Sequence, residues 1–295
     1  MNTLILYSLT VLIWGTTWIA IKYQLGEVAV LASIGHRFAL ASLLMWLLLW
    51  VTGRLQVLPR RHQPFLILQG LCLFCGNFYF VYSAELVLTS GLVAVVFGTL
   101  MFANVVNSAL FLRLPVRPQV VLGGLVGLAG IGLVFWRELR AFDLTDRTFV
   151  AVLYCLAGTW LASFGNIIAA RNSLQQVPLL PATAWAMSYG TAATYGVALL
   201  TGTPITIAWQ PSYLLALAFL SVFGSVVAFW AYLTLIGRIG ADRAGYANLL
   251  FPLVALGIST ALEGYRWTLL AAVGIALVLA GNWLALASNR HPRTA

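Results

Sequence analysis

The sequence predicts an all-α integral membrane protein of ten transmembrane helices, built as two inverted five-helix repeats around a central cavity. Three observations carry that prediction. The chain of 295 residues is 62% hydrophobic and 8% charged, with a mean hydropathy of +0.96, whereas soluble domains carry about 25% charged residues. Its apolar residues fall in runs of the length that crosses a hydrocarbon core, roughly 20 residues per helix. The stretch from Gly91 to Gly132 is written again from Gly240 to Gly281, at a constant offset of 149 residues and without a gap.

The repeat comes first because it fixes what a complete functional object contains. At the same offset Leu100 meets Leu249, Phe102 meets Phe251, Val105 meets Val254, Arg117 meets Arg266 and Leu128 meets Leu277. Further back, Phe74 meets Phe223, Phe80 meets Phe229 and Lys22 meets Arg171. The chain is one unit used twice.

The spans read as residues 3–22, 29–51, 64–84, 90–111, 118–136, 149–170, 181–200, 212–235, 242–262 and 267–287. Prolines 59, 64, 115, 118, 178, 181, 204 and 211 lie between spans or at their starts, where a missing N–H costs little. Pro252 alone sits inside one. The N-terminus lacks a basic n-region and a small-residue cleavage site, so the first run reads as an uncleaved span.

A net charge of +9 could point to nucleic acid, but the sixteen basic residues stand singly between apolar runs and form no basic face. Their meaning is topological. With the N-terminus inside, the inner loops carry Arg54, Arg60, Arg61, Arg113, Arg117, Arg171, Arg238, Arg243, Arg290 and Arg293. The outer loops carry Lys22, Arg137, Arg140, Arg147 and Arg266, so the positive-inside rule puts both termini in the cytoplasm. Lys22 argues locally the other way. The expected organisation is a first repeat over 1–136, a periplasmic linker over 137–148, a second repeat over 149–287 and a cytoplasmic tail over 288–295. Two consecutive halves with five spans each enter the membrane from opposite sides. Inverted repeats of this kind are how many secondary transporters are built, with a midplane site at the repeat interface.

Candidate site residues emerge from helical spacing. On the first span Thr10, Trp14, Thr17, Trp18 and Ile21 share a face, and on the sixth Trp160, Ser163 and Ile167 make the corresponding one, with Ser163 aligned to Trp14. The third span contributes Cys75, Phe78, Tyr79 and Tyr82, the fourth Phe97, Met101 and Asn104, and the ninth Tyr246, Leu250 and Leu253. Phe97 and Tyr246 are repeat partners. Each stripe also reads as packing or as an interfacial anchor. Asn77, Asn104, Asn166 and Asn248 favour the site reading, because amides in hydrocarbon need partners and face the bundle interior, although any one of them can be helix glue. The expected substrate-binding set is Trp14, Thr17, Trp18, Tyr79, Tyr82, Phe97, Asn104, Trp160, Ser163, Tyr246 and Asn248.

Pro252 frees a carbonyl near Asn248 and makes the ninth span the expected gate, since its partner Ala103 carries no such break. Arg37 has two readings: a ligand for a substrate carboxylate, or a cation that snorkels outward or pairs with Glu85 or Glu263. Gly123, Gly127 and Ile131, with Gly124 and Gly130 beside them, form a small-residue contact face on the fifth span, and Ala272, Ala276 and Ala280 form its counterpart. Those faces are scaffold.

Several chemistries are excluded. All seven carboxylates, Glu27, Glu85, Glu138, Asp143, Asp146, Asp242 and Glu263, lie at span ends or in loops. There is no H-E-x-x-H, aspartate pair or P-loop, so the chain is not expected to be an enzyme. Cys72, Cys75 and Cys155 all fall in apolar segments, and a lone C-x-x-C does not make a metal site. No cofactor and no metal are expected.

Trp14-Gly15 with Lys22 on the first span, Arg37 on the second and the Gly-rich fifth and tenth spans resemble the ten-helix EamA family of the drug/metabolite transporter superfamily. The resemblance covers both repeats. It implies a central cavity surrounded by the first, third, fourth, sixth, eighth and ninth helices, with the fifth and tenth packed peripherally. The small four-helix multidrug members of that superfamily use a first-helix glutamate; this chain has Trp14 and Trp18 there instead, and the aromatic lining looks most like the aromatic amino-acid exporter type (YddG-like). The expected function is a secondary transporter or facilitator for small metabolites, foremost aromatic amino acids. It would export them across the bacterial inner membrane, as a monomer, by alternating access. The alternatives are an exporter of aromatic cationic drugs and a non-transporting membrane scaffold.

Overall fold

Long apolar runs in a bilayer must satisfy their backbone polar groups internally, which leaves helices or closed barrels. The computed structural model describes residues 2–113, 118–136, 146–239 and 247–288, and among these the secondary structure is helical throughout, without strands. The first span is Thr3–Lys22, the second Val30–Val51 and the third Arg60–Glu85; the fourth is Ser90–Leu112, the fifth Pro118–Val134 and the sixth Arg147–Leu174. The seventh is Leu179–Leu200, the eighth runs from Pro211–Phe219 through Leu220–Val227 into Ala228–Ile239, the ninth is Ala247–Leu262 and the tenth Leu269–Ser288. Six of the described helices have the length and hydropathy to cross a membrane, and shorter apolar helices accompany them.

Two local devices recur at the 149-residue offset. Gly53 (φ 65°) and Gly202 (φ 66°) end the second and seventh spans in the left-handed conformation that glycine adopts freely. Beside them Arg54 N–H bonds to the Leu49 carbonyl and Thr203 N–H to the Ala198 carbonyl, one the image of the other. The second device is a π-helical turn, Leu71–Gly76 in the third span and Leu220–Val227 in the eighth. Such turns take up an extra residue and rotate the helix beyond them.

The chain forms two compact units, and each draws helices from both repeats. Unit 1 comprises Met1–Ile19, Val87–Leu153 and Ala228–Ala295; unit 2 comprises Ala20–Leu86 and Tyr154–Val227.

Within unit 1 the fifth and tenth spans pack backbone to backbone. A Cβ on Gly281 would lie 2.2 Å from the Gly123 carbonyl, and one on Gly130 would lie 2.5 Å from that of Gly274. Residue numbers rise along one helix as they fall along the other, so these repeat-equivalent helices run antiparallel. The fourth and ninth spans do the same. Ser90 N–H bonds to the Glu263 carboxylate, and Gly91 lies against Ser259 and Leu256.

Within unit 2 the second and seventh spans pair from Gly35 against Tyr195 to Trp46 against Trp185, again antiparallel. Trp46 Nε1–H donates to Ser188 Oγ at 2.9 Å. The core here is Phe38, Met45, Leu49, Phe74, Tyr82, Met187 and Leu220, held by close packing, since lipid tails are as apolar as these side chains. Antiparallel pairing of equivalent helices is what inverted repeats require.

Candidate functional site

Two groups of side chains stand out, one in each unit. In unit 1 the first span approaches the ninth closely because residue 15 is glycine: a Cβ there would meet Val254 at 2.6 Å. This brings aromatic rings together. Trp14 lies 5.7 Å edge-on from Phe229 and 5.0 Å from Tyr232; Trp18 lies 5.2 Å edge-on from Phe97 and stacks 6.2 Å from Phe251. Edge-to-face pairs of this kind contribute about 0.5–1.5 kcal/mol beyond burial. The Trp18 indole is 7% exposed, and its Nε1–H has no acceptor. Thr17 turns inward on its own helix, donating to the Trp14 carbonyl at 2.7 Å.

Phe97 closes the first half of the fourth span. The sequence reads residues 90–111 as one helix, but the helix breaks into Ser90–Phe97 and Leu100–Leu112 at a Gly98–Thr99 turn. Glycine and a threonine whose hydroxyl bonds back to the Val96 carbonyl at 2.7 Å supply the means. The ninth span, by contrast, stays helical through Pro252, which is buried next to Phe251. The fourth span's break is therefore not at Ala103, the residue aligned with Pro252, but one turn earlier. Asn104 is half-buried on the far side of that break. Tyr246 and the Asn248 side chain lie outside the described residues.

In unit 2 Tyr82 is a fully buried hub: its hydroxyl donates to Gln24 Oε1 at 2.8 Å and accepts from Arg37 Nη1 at 3.3 Å. Arg37 is 4% exposed. Its guanidinium lies 4.6 Å from the Phe78 ring centre and 5.2 Å from that of Phe38. Cation–π contacts return about 0.5–2 kcal/mol each against an insertion cost of about 2.5–3.5 kcal/mol for a central arginine. The snorkelling part of the second sequence reading fails, because packing closes over the side chain. Glu263 caps the fourth span, taking both the N–H and the hydroxyl of Ser90.

Beside this hub, His36 Nδ1 and the Tyr213 hydroxyl are 3.0 Å apart, and Ser33 Oγ lies 3.4 Å from the same hydroxyl. The other predicted residues of unit 2 are placed differently. Tyr79 is 38% exposed with its ring edge-on to Phe80, while Tyr82, three residues on, is fully buried. Trp160 is half-buried and Ser163 fully buried on the sixth span. That span packs on the third through Gly158 against Asn77 and Gly165 against Leu73.

The structure adds Phe229, Tyr232 and Phe251 to the first group and Gln24, Ser33 and Tyr213 to the second. Phe229 and Phe251 were findable, being repeat partners of Phe80 and Phe102. Gln24 and Tyr213 carry no such signal. Among the described residues no cluster of His, Cys, Asp or Glu has the composition to hold a metal ion.

The EamA-like transporter family matches residues 1–136 and 148–287. Protein PagO of Salmonella typhimurium is 24% identical, over 98% of this chain and 94% of that protein. The inner membrane transporter YedA of Escherichia coli K12 is 27% identical, over 91% and 87%. A Salmonella typhimurium protein named a probable amino-acid metabolite efflux pump is 23% identical, over 97% and 95%. A solved crystal structure shares the fold with a TM-score of 0.69 at 18% identity, covering 98% of this chain and 99% of that one. With both repeats matched and an all-helical membrane fold, this chain belongs to the EamA-like transporter family and is a membrane transporter, not an enzyme.

Proposed function

We propose that the protein carries small metabolites bearing an aromatic ring, foremost aromatic amino acids, by alternating access across a bacterial inner membrane, in the export direction and as a monomer. The observation that carries this is in unit 1, where Trp18 meets Phe97 beside the Gly98–Thr99 break and stacks on Phe251, with its indole N–H left unpaired. Packing alone explains rings in contact. It does not explain a buried donor without an acceptor, which costs about 1–3 kcal/mol and suits a polar solute that brings one. The efflux-pump name of one relative supports the amino-acid part of the reading.

The remaining candidates, Thr17, Tyr79, Tyr82, Asn104, Trp160, Ser163, Tyr246 and Asn248, are proposed members of the solute-binding set. Pro252 is the proposed gate. We place both termini in the cytoplasm and 137–148 outside; a cysteine at Asp143 should be labelled only from outside intact cells.

The test is uptake into proteoliposomes of a panel of amino acids and cationic aromatic dyes, with and without a pH gradient. Aromatic amino acids should move down their own gradient in both conditions. Trp18→Ala, Trp160→Ala and Tyr246→Ala should each raise the half-saturation concentration severalfold in folded protein. Uptake of dyes alone favours the cation exporter, and no solute flux at all favours the scaffold. Uphill accumulation driven by a pH gradient and lost in His36→Ala contradicts the facilitator.

A further inference from the structure

We propose that Arg37, with Gln24 and Tyr82, forms an anion receptor that takes the carboxylate of the transported solute. The inference rests on the transport reading above and concerns the charged end of the solute.

The starting point is an imbalance of donors. Arg37 and Gln24 are 4% and 1% exposed, yet Arg37 Nε–H and the side-chain amide nitrogen of Gln24 have no acceptor. Their partners are spoken for. The Tyr82 hydroxyl already accepts from Arg37 and donates to Gln24 Oε1. Three side chains thus converge with two surplus donors, a fixed positive charge and no counter-ion in the second span. A carboxylate accepts up to four hydrogen bonds and supplies the missing charge. A neutral amide supplies acceptor lone pairs but no charge, and an ammonium group supplies neither.

The receptor is closed in this conformation, and its closure has a removable part. Phe78 covers the guanidinium at 4.6 Å and lies two residues beyond the π turn Leu71–Gly76. Relaxing that turn to α-helix would rotate Phe78 by about 100°, one residue's angular step. Ser221, in the π turn of the eighth span, holds the Arg37 backbone by donating to its carbonyl at 3.0 Å. The arginine is fixed while its cover is set to move.

Glu85 lies one turn beyond Tyr82 and is fully buried, so a rival account makes Arg37 a long-range partner for that charge. The experiment separates the two. Proteoliposomes carrying the full chain would be assayed for uptake of phenylalanine, phenylpropionate, phenylalanine amide and phenethylamine, in wild type, Arg37→Lys, Arg37→Met and Arg37→Met/Glu85→Gln.

Wild type should prefer the two carboxylates at least tenfold. Arg37→Met should erase that preference while uptake of the amide persists, Arg37→Lys should keep part of it, and the double variant should behave as Arg37→Met does. Restored preference in the double variant, or a uniform loss for all four solutes, overturns the receptor. If Arg37→Met does not fold, wild type still decides, because equal uptake of acid and amide is itself a contradiction. Flux of none of the four removes the transport reading, and the receptor falls with it; flux without carboxylate preference removes the receptor alone.

Discussion

The third and eighth spans are alike where the fourth and ninth differ, although each pair descends from one repeat element. Both members of the first pair carry a π turn at the same aligned position, Leu71–Gly76 and Leu220–Val227. In the second pair the fourth span is interrupted at Gly98–Thr99, whereas the ninth runs unbroken through a proline. A feature kept in both copies serves a demand that both halves share, such as a bend each must make. A feature held by one copy only is available for what the two halves do differently, and opening to one side of a membrane while closing to the other is such a difference.

If the shared feature is a shared hinge, removing it from either copy should have the same large effect. Deleting Cys72 or Val222 takes one residue out of each π turn and favours α-helix. Each deletion is expected to abolish uptake while the protein still purifies as a folded species; loss from one deletion and not the other breaks the equivalence.

The fifth and tenth spans supply a control region where function should be indifferent and stability should not. Gly281→Ala places a methyl 2.2 Å from the Gly123 carbonyl, and overpacking of this kind costs about 1–3 kcal/mol. Gly127→Ala meets nothing within 4 Å and should gain up to about 1 kcal/mol of helix propensity. Thermal melts in detergent should therefore move in opposite directions. A shift of the same sign would mean that the two helices are not held at backbone contact.

The smallest expected effect tests the unlike pair. Pro252→Ala should slow turnover a few-fold with little change in the half-saturation concentration, while Gly98→Ala, in the broken partner, should alter both. A Pro252→Ala protein with unchanged exchange kinetics assigns the asymmetry to the fourth span alone.

The all-helical fold and its inversion were legible because hydropathy and an ungapped internal repeat are properties of local sequence. Trp14, Trp18 and Phe97 were legible for the same reason, as apolar rings at helical spacing. Spacing could not deliver features set by an extra residue per turn or by contacts distant in sequence. Helical spacing groups Cys75, Phe78, Tyr79 and Tyr82 but does not say what covers each, and the stripe divides in the fold: Tyr82 is buried and Tyr79 is exposed. Arg37 is decided by Tyr82, 45 positions away. The Gly98–Thr99 turn shows in the sequence only as a glycine, and one glycine inside an apolar run is ordinarily tolerated.

The central claim, that two inverted repeats move one solute by exposing it alternately to each side, is tested most directly by counterflow. Proteoliposomes preloaded with unlabelled phenylalanine should take up labelled phenylalanine faster than empty ones, because a loaded carrier returns with its site occupied. Equal rates in loaded and empty vesicles would contradict alternating access and leave a pore or a scaffold in its place.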